Sequence, residues 1–255
     1  MIMILSLFVV IAVLQLTVCE AQDPATGWMA YAVGVVPEGV TRITKLSMSW
    51  KVSANPVKSR SFFSPWFGMD PADNLNLIQP VNPWSGSAWS MYTEYYQWKP
   101  THNSNSPQHS VEAGQTLVGT MTYDATTDSY DLSQKIDETG VSSVQNIPCQ
   151  NGKKYNLPYI VYEKTFPCQN YPPDEAVNFY NIYAECDGKD CTNDIKWESK
   201  IKDANCDMKA VVYNNTNISI TWDTSLKSIY DNMEHKSLVA LNAHGWAKHY
   251  HIDDN

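Results

Sequence analysis

Gln79 is the residue that asks for a chemical explanation. It lies in the run 75–81 (LNLIQPV), which reads as a strand from its β-branched and apolar content and its Asn-Pro exit. Strand side chains alternate, so Leu75, Leu77, Gln79 and Val81 share one face. An amide among apolar neighbours needs partners or costs about 1–3 kcal/mol. It is therefore a ligand hydrogen-bonder, a catalytic group, or a core amide satisfied by nearby backbone. Two carboxylates could work with it. Glu94 sits in the run 89–98 (WSMYTEYYQW), on the same side by parity as Tyr92, Tyr96 and Trp98. Glu163 sits late in the run 157–166 (LPYIVYEKTF).

Aromatic residues crowd this region. Trp66, Trp84, Trp89 and Trp98 account for four of the nine tryptophans, with Tyr92, Tyr95 and Tyr96 among them. Such rings suit a sugar-stacking platform, because they offer apolar faces with polar rims. They equally suit a sandwich core, and alternation sends them to both sides of a strand.

Other constellations are weaker. Asp70 and Asp73 with Asn74 and Asn76 carry calcium-type oxygens, but Asp-Pro and Asn at this spacing favour a plain turn. His244, His249, His251, Asp253 and Asp254 crowd the C-terminus and read as a solvated tail. No metal and no cofactor is expected. No nucleophile elbow or cysteine–histidine pairing supports a serine- or cysteine-hydrolase reading.

The chain has 255 residues and opens on an apolar run, 2–18, followed by Cys19-Glu20-Ala21. Small residues at the two positions read by signal peptidase indicate a secretory signal cleaved after Ala21, although no Lys or Arg precedes the run. No second run approaches membrane length. Without Glu20, 26 acidic residues face 18 basic ones, a formal charge of −8, which opposes nucleic-acid binding. Cys149, Cys168, Cys186, Cys191 and Cys206 remain; in a secreted chain these are disulfide candidates, and an odd number leaves one unpaired. Asn214 and Asn217 head glycosylation sequons. The compartment expected is extracellular.

A dozen or more short strands follow one another, with turn signals every 8–12 residues: an all-β antiparallel sandwich of two sheets. The polar run 99–109 reads as a flexible loop, and 224–241 as a short C-terminal helix or ordered tail. The organisation expected is a signal peptide (1–21), one sandwich domain (22–223) and a C-terminal tail (224–255).

Trp66-Phe67-Gly68-Met69-Asp70, Leu77-Ile78-Gln79, Gln97-Trp98-Lys99-Pro100 and Ala113-Gly114-Gln115-Thr116-Leu117 resemble, in order and approximate spacing, the glutamic peptidases, or eqolisins. The stretch from Gly27 to about Trp222 also looks like a broader group of secreted eqolisin-like proteins, through Ile78-Gln79-Pro80-Val81 and the Cys-x-x-Tyr-Pro of Cys168 to Pro172. The resemblance implies a concanavalin-like sandwich. It also implies a glutamine and a glutamate on neighbouring strands of a concave face, the carboxylate as general base and the amide on the oxyanion. Gln79 matches the glutamine. The glutamate opens a Glu-Trp-Ile-Val strand, and the matching run Pro158-Tyr159-Ile160-Val161 puts proline there. Glu163, five positions on, would face the opposite way on a regular strand unless a bulge restores it.

The expectation is thus a secreted, non-catalytic protein that binds carbohydrate or an extracellular-matrix polymer through Gln79, Glu94, Tyr96 and Trp98. An acid-acting peptidase using Gln79 and Glu163 on a peptide substrate is the alternative. A structural component of a secreted matrix is a third.

Overall fold

The computed structural model describes residues 27–57, 61–164 and 166–231. The signal-peptide and C-terminal histidine readings fall outside these residues.

Sixteen strands form two antiparallel sheets. In chain order they are β1 (Trp28–Val35), β2 (Ile43–Lys51), β3 (Ser64–Pro71), β4 (Asn76–Val81), β5 (Trp89–Trp98), β6 (Thr101–Asn105), β7 (His109–Val111), β8 (Thr116–Asp124), β9 (Ser129–Ile136), β10 (Ser142–Pro148), β11 (Tyr155–Glu163), β12 (Ala176–Cys186), β13 (Lys189–Asp190), β14 (Lys196–Ile201), β15 (Lys209–Asn214) and β16 (Asn217–Thr221). One sheet runs β14-β1-β11-β3-β4-β5-β6, with β7 beside β5; the other runs β10-β9-β8-β2-β12-β16-β15, with β13 beside β12.

Alternation explains why the sheets stack. In β2, Leu46, Met48 and Trp50 point one way and are buried, while Lys45, Ser47 and Lys51 lie on the other side. They meet Phe67, Met69 and Ile78 from the first sheet and Leu117, Met121 and Phe179 from their own in one large inter-sheet core. Trp84, Trp89 and Tyr95 belong to this core as well. The first sheet carries a second apolar cluster, made only from its own strands: Trp28, Trp66, Leu77, Val81, Tyr92, Tyr159 and Val161, with Tyr31, Tyr96 and Trp98 packed on it. It covers the face turned away from the second sheet. Both faces of this sheet are therefore buried, which accounts for the unbroken burial of β3 and β4.

Disulfides join Cys168 to Cys206 and Cys186 to Cys191, and Cys149 is free and buried. One expectation is corrected. The run 99–109 is no structureless loop: after a cis Lys99–Pro100 bond it forms β6 and β7, both paired with β5. Of the expected C-terminal helix or ordered tail, residues 224–231 run as turns, with Ile229 exposed; the remainder is outside the described residues.

The two sheets approach closely at Gly119. A Cβ there would lie 2.5 Å from Phe67 Cε1 and 3.0 Å from Pro80 Cγ. Gly119→Ala is expected to lower stability by about 1–3 kcal/mol through overpacking. Urea denaturation checks this, and an unchanged midpoint would contradict it.

Candidate functional site

The site is built on the β4–β5 hairpin. Its register sets Gln79 directly opposite Glu94, so the two side chains rise from the same face. On the other flank of β4, Gly68 leaves room for the amide, since a Cβ on it would sit 3.0 Å from Gln79 Cβ and 2.6 Å from the Ile78 carbonyl oxygen. Gly68 in turn faces Tyr159 on β11.

Gln79 Nε2 donates to Glu94 Oε2 at 2.6 Å. Asn103 Nδ2 donates to the other carboxyl oxygen, Oε1. Asn103 reaches it because β6 pairs Asn103 with Tyr96 and Asn105 with Glu94, placing both asparagines on the carboxyl's face. Gln79 and Glu94 are 3% and 2% exposed. The carbonyl oxygens of the two amides, Gln79 Oε1 and Asn103 Oδ1, are buried without a hydrogen-bond partner. Burial pushes the Glu94 carboxyl up to about 7; the bonds from Asn103 and Gln79 pull the other way, and the charge of Glu163 adds a smaller upward push.

Tyr96 and Trp98 continue along β5, half-buried and packed edge to face with centroids 4.9 Å apart. All four residues expected at a ligand face, Gln79, Glu94, Tyr96 and Trp98, thus lie together on the outer face. Asn103 was hidden from sequence reasoning by its Asn- and Ser-rich surroundings. The period-two recurrence of Asn103 and Asn105 in a run that follows an aromatic strand was the available signal.

Glu163 is placed differently from expectation. Proline 158 pairs with Met69 and lies on the side of the inter-sheet core, while Glu163 stands on Gln79's face, level with Ser64. Parity correctly puts Pro158 and Glu163 on opposite sides; the error was to take Pro158 as the residue facing Gln79, a position that Tyr159 holds across Gly68. Glu163 nevertheless does not pair with Gln79. Ser64 is four residues along β3 from Gly68, about 13 Å at strand rise. The Glu163 carboxylate accepts from Trp66 Nε1 at 2.9 Å and pairs with Lys164 Nζ at 3.0 Å, both partners buried. Lys164 holds φ at 83°, a left-handed conformation unusual for a side chain of this length. Its amide donates to the Gly27 carbonyl and its carbonyl accepts from the Tyr171 hydroxyl, which fixes that geometry.

The sequon asparagines Asn214 and Asn217 flank the β15–β16 turn. Asn214 is exposed, and Thr216 bonds back to it. Among the described residues no helix is long and apolar enough to cross a membrane.

No protein-family model and no curated protein matches the sequence. Solved structures do. The chain superposes on a scytalido-glutamic peptidase bound to a peptide-based transition-state analogue with a TM-score of 0.58 and 15% identity, over 76% of this chain and 98% of that one. It superposes on SCP-B, a member of the eqolisin family in complex with the tripeptide Ala-Ile-His, with a TM-score of 0.56 and 14% identity, over 76% and 98%. The fold is thus the eqolisin-like sandwich.

The Glu94 carboxyl yields a signed pH dependence. Its folded value, about 7, lies above the 4.5 of an unperturbed glutamate. The folded state therefore holds the proton more tightly, and stability falls as pH rises from about 4.5 to about 7, by up to about 3 kcal/mol. Glu94→Gln should remove that portion of the slope. Urea titrations of both proteins between pH 5 and 8 check it; parallel profiles would show that Glu94 is not the group responsible.

Proposed function

We propose that the outer face of the first sheet is a recognition site for a hydroxyl-rich polymer, carbohydrate or an extracellular-matrix polymer, in a secreted protein, and that binding is not followed by turnover. The observation that carries this reading is the hydrogen-bond state of the polar centre. Each oxygen of Glu94 accepts an amide N–H, and Gln79 Oε1 and Asn103 Oδ1 stand beside it as buried acceptors without a partner. Buried acceptors favour a ligand rich in donors, as sugar hydroxyls are. Trp98 and Tyr96, half-buried on the same strand, supply ring faces for sugar C–H groups beside them. The N-terminal signal pattern and two disulfides support an oxidising, extracellular setting.

A second reading, peptide hydrolysis, is favoured by one observation: a carboxyl group lies within hydrogen-bonding distance of the candidate amide. The eqolisin neighbours carry a peptide-based analogue and a tripeptide. In that reading Glu94, not Glu163, is the general base. A carboxyl that ionises near 7 is protonated in acid, so such an enzyme would act at neutral pH or above. It would also have to open the direct Gln79–Glu94 bond to admit a water.

Glycan-array and polysaccharide pull-down measurements test the first reading. Wild type is expected to bind, and Trp98→Ala to bind about tenfold or more weakly, equivalent to ~1.4 kcal/mol. Glu94→Gln, which changes what Gln79 and Asn103 donate to, should weaken binding as well. Absence of glycan binding, with casein hydrolysis at pH 7.5 that Glu94→Gln abolishes, would replace recognition with hydrolysis.

A further inference from the structure

A second polar cluster lies at the β3–β4 turn. Asp70 is 0% exposed, and neither of its carboxyl oxygens has a hydrogen-bond partner. Leaving one buried acceptor unmet is costly; leaving both oxygens of a carboxyl unmet calls for an explanation. The neighbours deepen the problem. β11 carries a bulge where Tyr155 pairs with Pro71 and Leu157 with Asp70, so Asn156 is the extra residue beside Asp70. Asn156 Oδ1 is buried and unpartnered. Asn74, in the turn that follows Asp70, holds φ at 50°, and its Oδ1 is also buried and unpartnered. Four oxygens from three side chains thus belong to one turn and the bulge beside it, each without a donor.

Asp73 is not a fifth. Its carboxylate accepts the Leu75 amide and pairs with Lys153. It adds negative charge close to Asp70, and burial together with that charge pushes the Asp70 carboxyl well above the usual carboxylate range. The cluster is rich in acceptors and holds no donor for them among the described residues.

We propose that Asp70, with the amide oxygens of Asn156 and Asn74, forms a structural site for a hard cation of calcium's size. Calcium accepts mixed carboxylate and amide oxygens in irregular arrangements, such as a bulge and a turn supply, whereas magnesium demands a near-ideal octahedron. Among the described residues no group of three or more His, Cys, Asp or Glu comes together to hold a metal. With a single carboxylate as anionic ligand, affinity belongs at the weak end for calcium, on the order of millimolar, as in extracellular modules. The role is structural: the ion would tie the β3–β4 turn to β11, at the end of the strands that carry Gly68 and Gln79.

The test is thermal unfolding of the full chain with and without calcium chloride at constant ionic strength. At about ten times the dissociation constant, the wild-type Tm should rise by about 3 °C, and Asp70→Asn should not respond. Should Asp70→Asn fail to fold, terbium bound to the wild type decides. Tyr155, paired next to Asp70, should sensitise its luminescence, and calcium should quench that signal by displacement. Equal Tm shifts in wild type and variant, or a wild type with neither a shift nor a displaceable terbium signal, would overturn the proposal. Asp70 would then stand as a protonated acid bonded to buried water.

Discussion

The register of the β4–β5 hairpin is the constraint on which the site depends. Pairing Gln79 with Glu94 places an amide and a carboxyl side by side on the outer face, and the same register sends Ile78 and Tyr95 into the inter-sheet core. A slip of one residue would exchange the two sets, burying Glu94 between the sheets and exposing Ile78. The apolar residues of β4 and β5 therefore fix the chemistry of the polar ones. Both faces of this sheet are packed, so no relaxed alternative is available to either set.

A buried carboxyl is tolerated only where donors meet it. For Glu94 they come from β4 and β6, one on each side, which makes the closure of β6 onto β5 part of the site and not an appendage. For Glu163 they come from Trp66 and Lys164, at a different point of the same face. The outer face thus carries two carboxyl groups in unlike settings: one held by neutral amides and easily neutralised, the other held by an indole and an ammonium. The charge of Glu163 still reaches Glu94, so the two settings are electrostatically joined without sharing a hydrogen bond.

Much of this was legible in the chain because strand alternation is a strong signal where one side is apolar. The residues expected on Gln79's face, Leu77 and Val81, and on Glu94's face, Tyr92, Tyr96 and Trp98, are where period-two reading puts them. Parity is a relative quantity, however, and fails when its reference is wrong. A short motif match set Pro158 opposite Gln79, whereas the strand pairing sets Tyr159 there. Asn103 was lost for another reason. Asn, Ser and Pro favour turns by local chemistry, and only the pairing of β6 with the long β5 overrides that preference. The expected C-terminal helix or ordered tail rested on Leu226, Ile229, Tyr230 and Met233 fitting one helical face, a pattern too short to separate a helix from a series of turns.

The fold is shared with the glutamic peptidases, yet the carboxyl beside the glutamine reaches it from a different strand than the motif match implied. This matters chemically because the supplying strand also decides what else touches the carboxyl. On β5, Glu94 sits between two amide-bearing strands, so each of its oxygens accepts one amide N–H before any ligand arrives. A general base needs a free lone pair directed at a water, and a carboxyl that shares a water with an amide leaves one available. The direct contact at 2.6 Å stands where a shared water would lie, and Gln79 Oε1 and Asn103 Oδ1 are left as buried acceptors without a partner. The amide and the carboxyl are thus in direct contact, and placing a water between them requires that bond to open.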